Sequence, residues 1–484
     1  MVILGQILNK LDITRIIGSD DIAIGSICFD SREVSDNSLF VAIKGTRVDG
    51  HSFIDQAISL GAKAIVCEKL PARINDSICW VVTDNSARAL SFIAANFYDN
   101  PSQKLRLIGV TGTNGKTTIA SLLYELYISL GYRAGLISTT GNKVFRKKLD
   151  ATHTTPDPVQ LNRLIREMLD EGCDFVFMEV SSIALDQHRT DGLVFEGGIF
   201  TNLTHDHLDY HLNFDNYIAA KKRFFDGLSP SAFALVNMDD RRAEVMLQNC
   251  DTKKTGYSMR RDAKYRCSVL EERFEGMLLK IDNNEVSTRF IGSFNAYNLL
   301  AVYGAAMEMG ADKTEVLVAI SNMNPVEGRL ELIRSSNGPI AIVDYAHTPD
   351  ALENVLEALN RIKDKSISLI TVVGAGGDRD KSKRPLMGRI AASESTRVVF
   401  TSDNPRNEDP EKIIDDIISG VPEASLKKVL RASDRREAIK TALMMAKEED
   451  IVLVAGKGHE TYQEIKGVKS HFDDREEIKK ILEL

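Results

Sequence analysis

The run Thr111-Gly112-Thr113-Asn114-Gly115-Lys116-Thr117-Thr118 has the residue types of a phosphate cradle. It follows the apolar stretch Leu105–Val110. It precedes Ile119, Leu122, Leu123, Leu126 and Leu130, which recur at helical spacing before Gly131. Backbone N–H groups in a glycine turn and at a helix N-terminus face an anion, and Lys116 adds a full positive charge. Thr117, at the helix start, is placed to hold Mg²⁺. The pattern predicts a nucleoside triphosphate site over Gly112, Thr113, Asn114, Gly115, Lys116, Thr117 and Thr118. Val110 stands where the general pattern has a glycine, and an ordinary strand-to-helix turn is the plainer alternative.

Further constellations surround this loop in sequence order. Glu179 ends an apolar run, Phe175–Val180, and a carboxylate there can hold Mg²⁺. The segment His205–His211 places three histidines and two aspartates in seven residues, a density suited to metal or acid–base chemistry. His153, Thr154 and Thr155, with Gln187-His188-Arg189, offer donors for phosphate or carboxylate. Lys221 and Lys222 lie on a helical stretch, Phe214–Phe225, where a solvated face is the plain reading. Towards the C-terminus, Gly376–Lys381, Asp403-Asn404-Pro405-Arg406 and Gly456–Glu460 each follow a strand-like run. An arginine fork binds a carboxylate and an acid or amide receives an ammonium, so these loops suit a zwitterionic amino acid.

The elements that must carry these residues are of the α/β class, with strands and helices alternating along the chain. The 484 residues suggest about three domains. Residues 1–103 read as a small α/β unit, with Asn100-Pro101-Ser102 as the boundary. Residues 104–331 read as a mostly parallel sheet carrying the phosphate loop, with a β-rich insertion near 250–290. Residues 332–484 read as a second, Rossmann-like doubly wound unit, whose ligands collect beyond the carboxyl ends of strands. A net charge of −8 disfavours a general nucleic-acid surface. The six scattered cysteines form no Cys-x-x-Cys, so buried free thiols in a reducing compartment are expected. The N-terminus lacks a basic and then apolar leader, and no apolar run approaches about 18 residues. A cytoplasmic protein without membrane insertion is expected.

Taken together these motifs resemble the Mur ligases of bacterial cell-wall synthesis, and within them the branch that adds the third residue of the stem peptide. Asp30-Ser31-Arg32, Thr111–Thr118, Met178–Ser182, Asp206–His211, Asn324–Arg329, Asp344–Asp350, Gly376–Gly388, Asp403–Arg406 and Gly456–Glu460 carry the resemblance, which spans essentially the whole chain. It implies a UDP-sugar-binding first domain, a central ATPase domain and a third domain that brings the amino acid. It implies an ATP-dependent acid–amino-acid ligase that activates UDP-N-acetylmuramoyl-L-alanyl-D-glutamate as an acyl phosphate, with Mg²⁺ as cofactor, acting as a monomer. By resemblance Lys116, Glu179, His207 and Lys221 are catalytic, and Thr117, Glu179, His207 and Lys221 serve Mg²⁺, with Lys221 carried as a carbamate.

Asn295, Arg329 and Asp344 match positions around ATP. Phe29, Ser31, Thr46, Arg47, Val48, His153, Thr154, Thr155, Ser181, Gln187 and Arg189 match positions around the UDP-sugar dipeptide. Arg379, Asp403, Asn404, Pro405, Arg406, Gly456 and Glu460 match the amino-acid pocket, and Asp-Asn-Pro-Arg resembles the version that takes meso-diaminopimelate. Two residues depart from the family's commoner spelling: His153 stands for asparagine and Leu212 for glycine. The alternatives are the same ligase acting on L-lysine, a folylpolyglutamate synthetase-like ligase, and a nucleotide-dependent switch without ligation.

Overall fold

The computed structural model describes residues 1–45, 48–151, 153–335 and 338–484. Thr46 and Arg47, expected at the UDP-sugar, lie outside the described residues. Three principal sheets follow one another along the chain. The first has five strands in the order Arg15–Ile17, Cys79–Val82, Ala62–Cys67, Ser38–Val41 and Ser26–Cys28. The second has eleven, with the strand Arg106–Thr111 near its middle, between Phe175–Glu179 and Gly197–Phe200. The third has six, in which Ile340–Asp344, Ile451–Ala455, Leu369–Ala375, Arg397–Ser402 and Val429–Ala432 run parallel.

Alternating side chains bury both faces of each sheet, as parallel strands require. In the middle sheet Ile108, Val110, Phe175 and Phe177 enter one core while Leu107, Val176 and Met178 enter the other. In the third, Ile342, Leu369 and Leu453 face one side, and Ala341, Ile370 and Val452 the opposite. All six cysteines are buried and free, as their scattering predicts. Among the described residues no helix is long and apolar enough to cross a membrane.

The expected β-rich insertion takes a more specific form. Tyr265–Arg273 pairs parallel to Lys253–Ser258 through Tyr257↔Tyr265, and two hairpin strands, Gly276–Ile281 and Asn284–Thr288, complete the edge. These strands continue the main sheet. The helix Ser293–Glu308 anchors this extension through its last residue. Glu308 accepts from Lys264 Nζ at 2.6 Å and Tyr265 OH at 2.8 Å, and Lys253 pairs with it at 2.6 Å. Burial alone would raise this carboxyl, but the donors Lys253, Lys264 and Tyr265 pull it down to about 2. A depressed carboxyl stabilises the fold above its unfolded pKa, and that contribution disappears as pH falls through the folded value. Glu308→Gln is therefore expected to cost about 2 kcal/mol at neutral pH. Urea unfolding at a series of pH values should show the gap from wild type closing between about pH 4 and pH 2. A gap that does not change with pH would assign the effect to packing alone.

Candidate active site

The phosphate loop is set by the strand Arg106–Thr111 and the helix Lys116–Ser129. Gly112 adopts φ 147°, and a Cβ there would stand 1.9 Å from Thr201 Oγ1, so only glycine brings the two segments together. Asn202 Oδ1 accepts the Asn114 N–H at 2.9 Å, and Thr113 Oγ1 meets Tyr217 OH at 3.0 Å. The loop is thereby fastened from both sides before any ligand arrives.

Two lysines converge on one carbonyl. Gly112 O accepts from Lys221 Nζ at 2.6 Å and from Lys116 Nζ at 3.0 Å. Lys221 is 1% exposed, and burial and then the charge of Lys116 hold its amine well below the ordinary lysine range. Lys116 is lowered by burial as well, against the opposing pull of Glu179 and Asp206. Glu179 is buried and takes the Thr139 N–H at 2.8 Å. His207 sits in left-handed backbone (φ 53°), with Nε2 3.4 Å from Asp206 Oδ2. Burial opposes ionisation of Asp206, yet His207, His347, Lys383 and Lys116 together hold its carboxyl at about 2. Leu212 closes this segment at φ 69°, a left-handed conformation that glycine adopts without strain.

Beside Glu179 lies a polar group from three neighbouring segments. Thr155 Oγ1 donates to Glu179 O at 2.7 Å and accepts from the Ser181 N–H at 3.1 Å. Arg189 Nη1 donates to Thr155 O at 2.7 Å, and its Nη2 to Gln187 Oε1 at 2.7 Å. Thr154 Oγ1 accepts from Thr139 Oγ1 at 3.0 Å, and His153 lies near Arg189. Phe29, Ser31 and Val48 make their contacts within the first domain. Phe29 packs on its core, Ser31 donates to Gln56 Oε1 at 3.1 Å, and Val48 is exposed. No hydrogen bond among the described residues joins these three to the Thr154–Arg189 group.

The third domain closes over the loop. Asn114 Nδ2 donates to Asp350 Oδ2 of that domain at 2.7 Å, and Arg329, three residues before it begins, donates from Nη2 to Thr117 Oγ1 at 3.1 Å. Arg329 also lies over the Tyr345 ring, 4.5 Å from its centroid. Asp344 accepts the N–H groups of Leu330 and Ala346 at 2.7 and 2.8 Å, which fixes the turn that presents Arg329. Asn295 donates to Ile291 O and accepts from Asn298.

Beyond the strand ends of this domain lies the zwitterion-like pocket. Asn404 Nδ2 donates to Glu460 Oε2 at 2.8 Å. Arg406 Nη1 donates to Gly377 O at 2.7 Å, and its Nε lies 3.5 Å from Glu464. Pro405 turns the chain, its carbonyl accepting from the Glu408 N–H at 3.0 Å. Arg379 is exposed beside Gly376. Gly456 has φ 116°, and a Cβ there would meet Asp403 Oδ2 at 2.7 Å.

Comparison with known proteins now bears on this arrangement. The domain described as Mur ligase middle domain matches residues 110–306, the Mur ligase glutamate ligase domain matches 328–458, and the Mur ligase family catalytic domain matches 23–98. The chain belongs to the Mur ligase family. This Mur ligase is 52% identical over 478 residues to a protein of Parabacteroides distasonis named UDP-N-acetylmuramoyl-L-alanyl-D-glutamate--2,6-diaminopimelate ligase, covering 99% of this chain and 98% of the relative. A protein of the same name from Bacteroides fragilis is 52% identical over 481 residues, covering 99% of each. A solved structure titled with that name superposes with a TM-score of 0.70 at 33% identity, over 100% of this chain and 99% of the other.

Within this Mur ligase the fold brings together Lys116, Glu179, His207 and Lys221 around the loop, although the residues alone read Lys221 as part of a solvated face. It also uses residues that motif reading did not single out. Tyr217 lies in the stretch leading to Lys221, and Asp350 and His347 lie inside the Asp344–Asp350 run. Lys457, inside Gly456–Glu460, is fully buried. Their signal was position within a quoted motif, without a chemical argument for the individual side chain.

Proposed function

We propose that this Mur ligase joins meso-2,6-diaminopimelate to UDP-N-acetylmuramoyl-L-alanyl-D-glutamate in peptidoglycan synthesis, with ATP as co-substrate. The relatives that cover essentially its full length bear the name of that activity. The observation that carries the amino-acid specificity is Arg406 on the same loop as Asp403 and Asn404, with Asn404 bonded to Glu460. Burial opposes ionisation of Asp403, but Lys457, Arg435, His347 and then Arg406 lower its carboxyl. A guanidinium near two acids suits a substrate whose far end carries both a carboxylate and an ammonium; L-lysine has that ammonium but no carboxylate for Arg406.

The chemistry follows from the charges. The substrate carboxylate is a poor electrophile. Its oxygen attacks the γ-phosphorus of ATP, ADP leaves, and an acyl phosphate results. The amine of diaminopimelate then attacks the acyl carbon, the tetrahedral adduct expels phosphate, and the nitrogen loses a proton. Two anions must approach in the first step, so Lys116, the loop N–H groups and Arg329 are assigned to neutralise them. Gly112, Thr113, Asn114, Gly115, Thr117 and Thr118, with Asn295 and Asp344, are assigned to ATP. Thr154, Thr155, Ser181, Gln187, Arg189 and His153 are assigned to the dipeptide, and Phe29, Ser31 and Val48 to the UDP end.

Among the described residues no three His, Cys, Asp or Glu side chains form a metal cage. Mg²⁺ commonly binds through one or two carboxylates plus substrate phosphates, so Thr117 and Glu179 fit as oxygen ligands with His207 beside them, and Lys221 would join them only as an anionic carbamate. When bound, the ion screens the phosphate charges. Domain divisions at 103/104 and 331/332, a monomeric state and a cytoplasmic location complete the reading.

The test couples phosphate release to product formation, with meso-diaminopimelate, L-lysine and L-ornithine compared side by side. Product with diaminopimelate alone is expected. Arg406→Ala should raise the diaminopimelate KM at least about tenfold while moving the ATP KM by less than about twofold. Product with L-lysine but not with diaminopimelate would overturn the specificity. Equal KM changes for both substrates would make Arg406 a support of the fold.

A further inference from the structure

Lys457 has no place in the reaction as derived above, yet it is the most enclosed cation of the amino-acid pocket. Its side chain is 0% exposed. It follows the strand Ile451–Ala455, whose neighbours include Leu369–Ala375, itself paired with Arg397–Ser402. Carried on the loop that follows Ile451–Ala455, the ammonium reaches the loop that follows Arg397–Ser402. It donates to Asn404 Oδ1 at 3.2 Å and to Glu460 Oε2 at 3.0 Å, and it lies 3.8 Å from Asp403 Oδ1.

These contacts determine which way the amide of Asn404 faces. Its oxygen receives Lys457 Nζ and also the Glu464 N–H at 3.0 Å, while its nitrogen donates to Glu460. Turned over, the amide would set its N–H₂ group against an ammonium and an N–H, and its oxygen against a carboxylate. The same cation separates two acids that otherwise repel. Burial and then Asp403 push the Glu460 carboxyl up, and Lys457 works against that rise. An ammonium that lies out of solvent does not touch the substrate, so its effect passes through its neighbours.

We propose that Lys457 is a positioning residue of this pocket, orienting Asn404 and holding Asp403 and Glu460 in one arrangement that receives the ammonium end of the incoming amino acid. The proposal rests on the diaminopimelate reading above. A buried cation that donates to one side chain from each of two loops makes the pocket a single unit, and its specificity depends on a residue that no substrate reaches.

The experiment compares wild type, Lys457→Met, Asn404→Ser and the double variant in steady-state assays with each substrate varied in turn. Lys457→Met is expected to raise the diaminopimelate KM about tenfold or more, with the ATP KM changing by less than about twofold. The double variant should lose less than the sum of the two single losses, because part of the lysine's effect passes through that amide. Lys457→Arg keeps a buried cation and is expected to show the same split, reduced. It carries the test if Lys457→Met does not accumulate as folded protein. Additive losses, or equal rises in both KM values, overturn the proposal. A wild-type enzyme that ignores diaminopimelate overturns the specificity reading instead, so the two failures are told apart.

Discussion

Replacing Lys221 by alanine is expected to lower the rate of amide formation about a thousandfold, with much smaller changes in the KM values. Lys221 and Lys116 both donate to the Gly112 carbonyl. Two ammonium groups on one oxygen repel, and Lys221 is enclosed, so its neutral amine is favoured. A neutral lysine amine adds to carbon dioxide: the nitrogen bonds the carbon, loses a proton, and becomes an anionic carbamate. That anion would pair with Lys116 and would supply an oxygen ligand of the kind Mg²⁺ prefers. Arginine can donate to the Gly112 carbonyl but forms no carbamate, so Lys221→Arg should be as inactive as Lys221→Ala. Enzyme stripped of carbon dioxide should lose activity and regain it with bicarbonate. Full activity in Lys221→Arg, or no response to bicarbonate, would reduce Lys221 to a structural donor.

The second large effect concerns stability. Arg435 and Asp474 form an ion pair whose side chains are both 0% exposed. Arg435 Nε and Nη2 meet the two carboxylate oxygens at 2.8 and 2.7 Å, and Nη2 also reaches Ala455 O at 3.0 Å. Asp474→Ala would leave a guanidinium buried without its counter-charge, and a loss of about 3–5 kcal/mol is expected in urea unfolding. The double change Arg435→Met, Asp474→Leu should recover much of it, because the cost lies in the unpaired charge. A loss under about 1 kcal/mol in the single variant would show that other acceptors satisfy the arginine. Ala455 immediately precedes Gly456, so the same variant should also weaken diaminopimelate binding.

The phosphate loop is legible from sequence because its glycines, its lysine and the following apolar period all describe one local turn. The strands were legible for the same reason: Phe175–Met178 and Ile451–Ala455 are unbroken apolar runs bounded by polar segments. What sequence does not show is a polar side chain whose meaning depends on distant segments. Lys457 has the composition of a surface residue and is enclosed where its own loop meets the loop that carries Asn404. Lys221 reads as half of a solvated Lys-Lys pair, although only Lys222 reaches a carboxylate, Asp226, while Lys221 turns inward to the Gly112 carbonyl. The edge strands near 253–288 carry weak polar alternation, which marks strands but not the sheet they join.

The bond from Asn114 to Asp350 has a thermodynamic corollary. Asn114 belongs to the phosphate loop and Asp350 to the third domain, so swinging that domain away deprives the loop of a side-chain acceptor. Loop conformation and domain position are therefore two coordinates of one equilibrium. By reciprocity, a nucleotide that prefers the tethered loop pulls the third domain inward by the same free energy with which closure strengthens nucleotide binding.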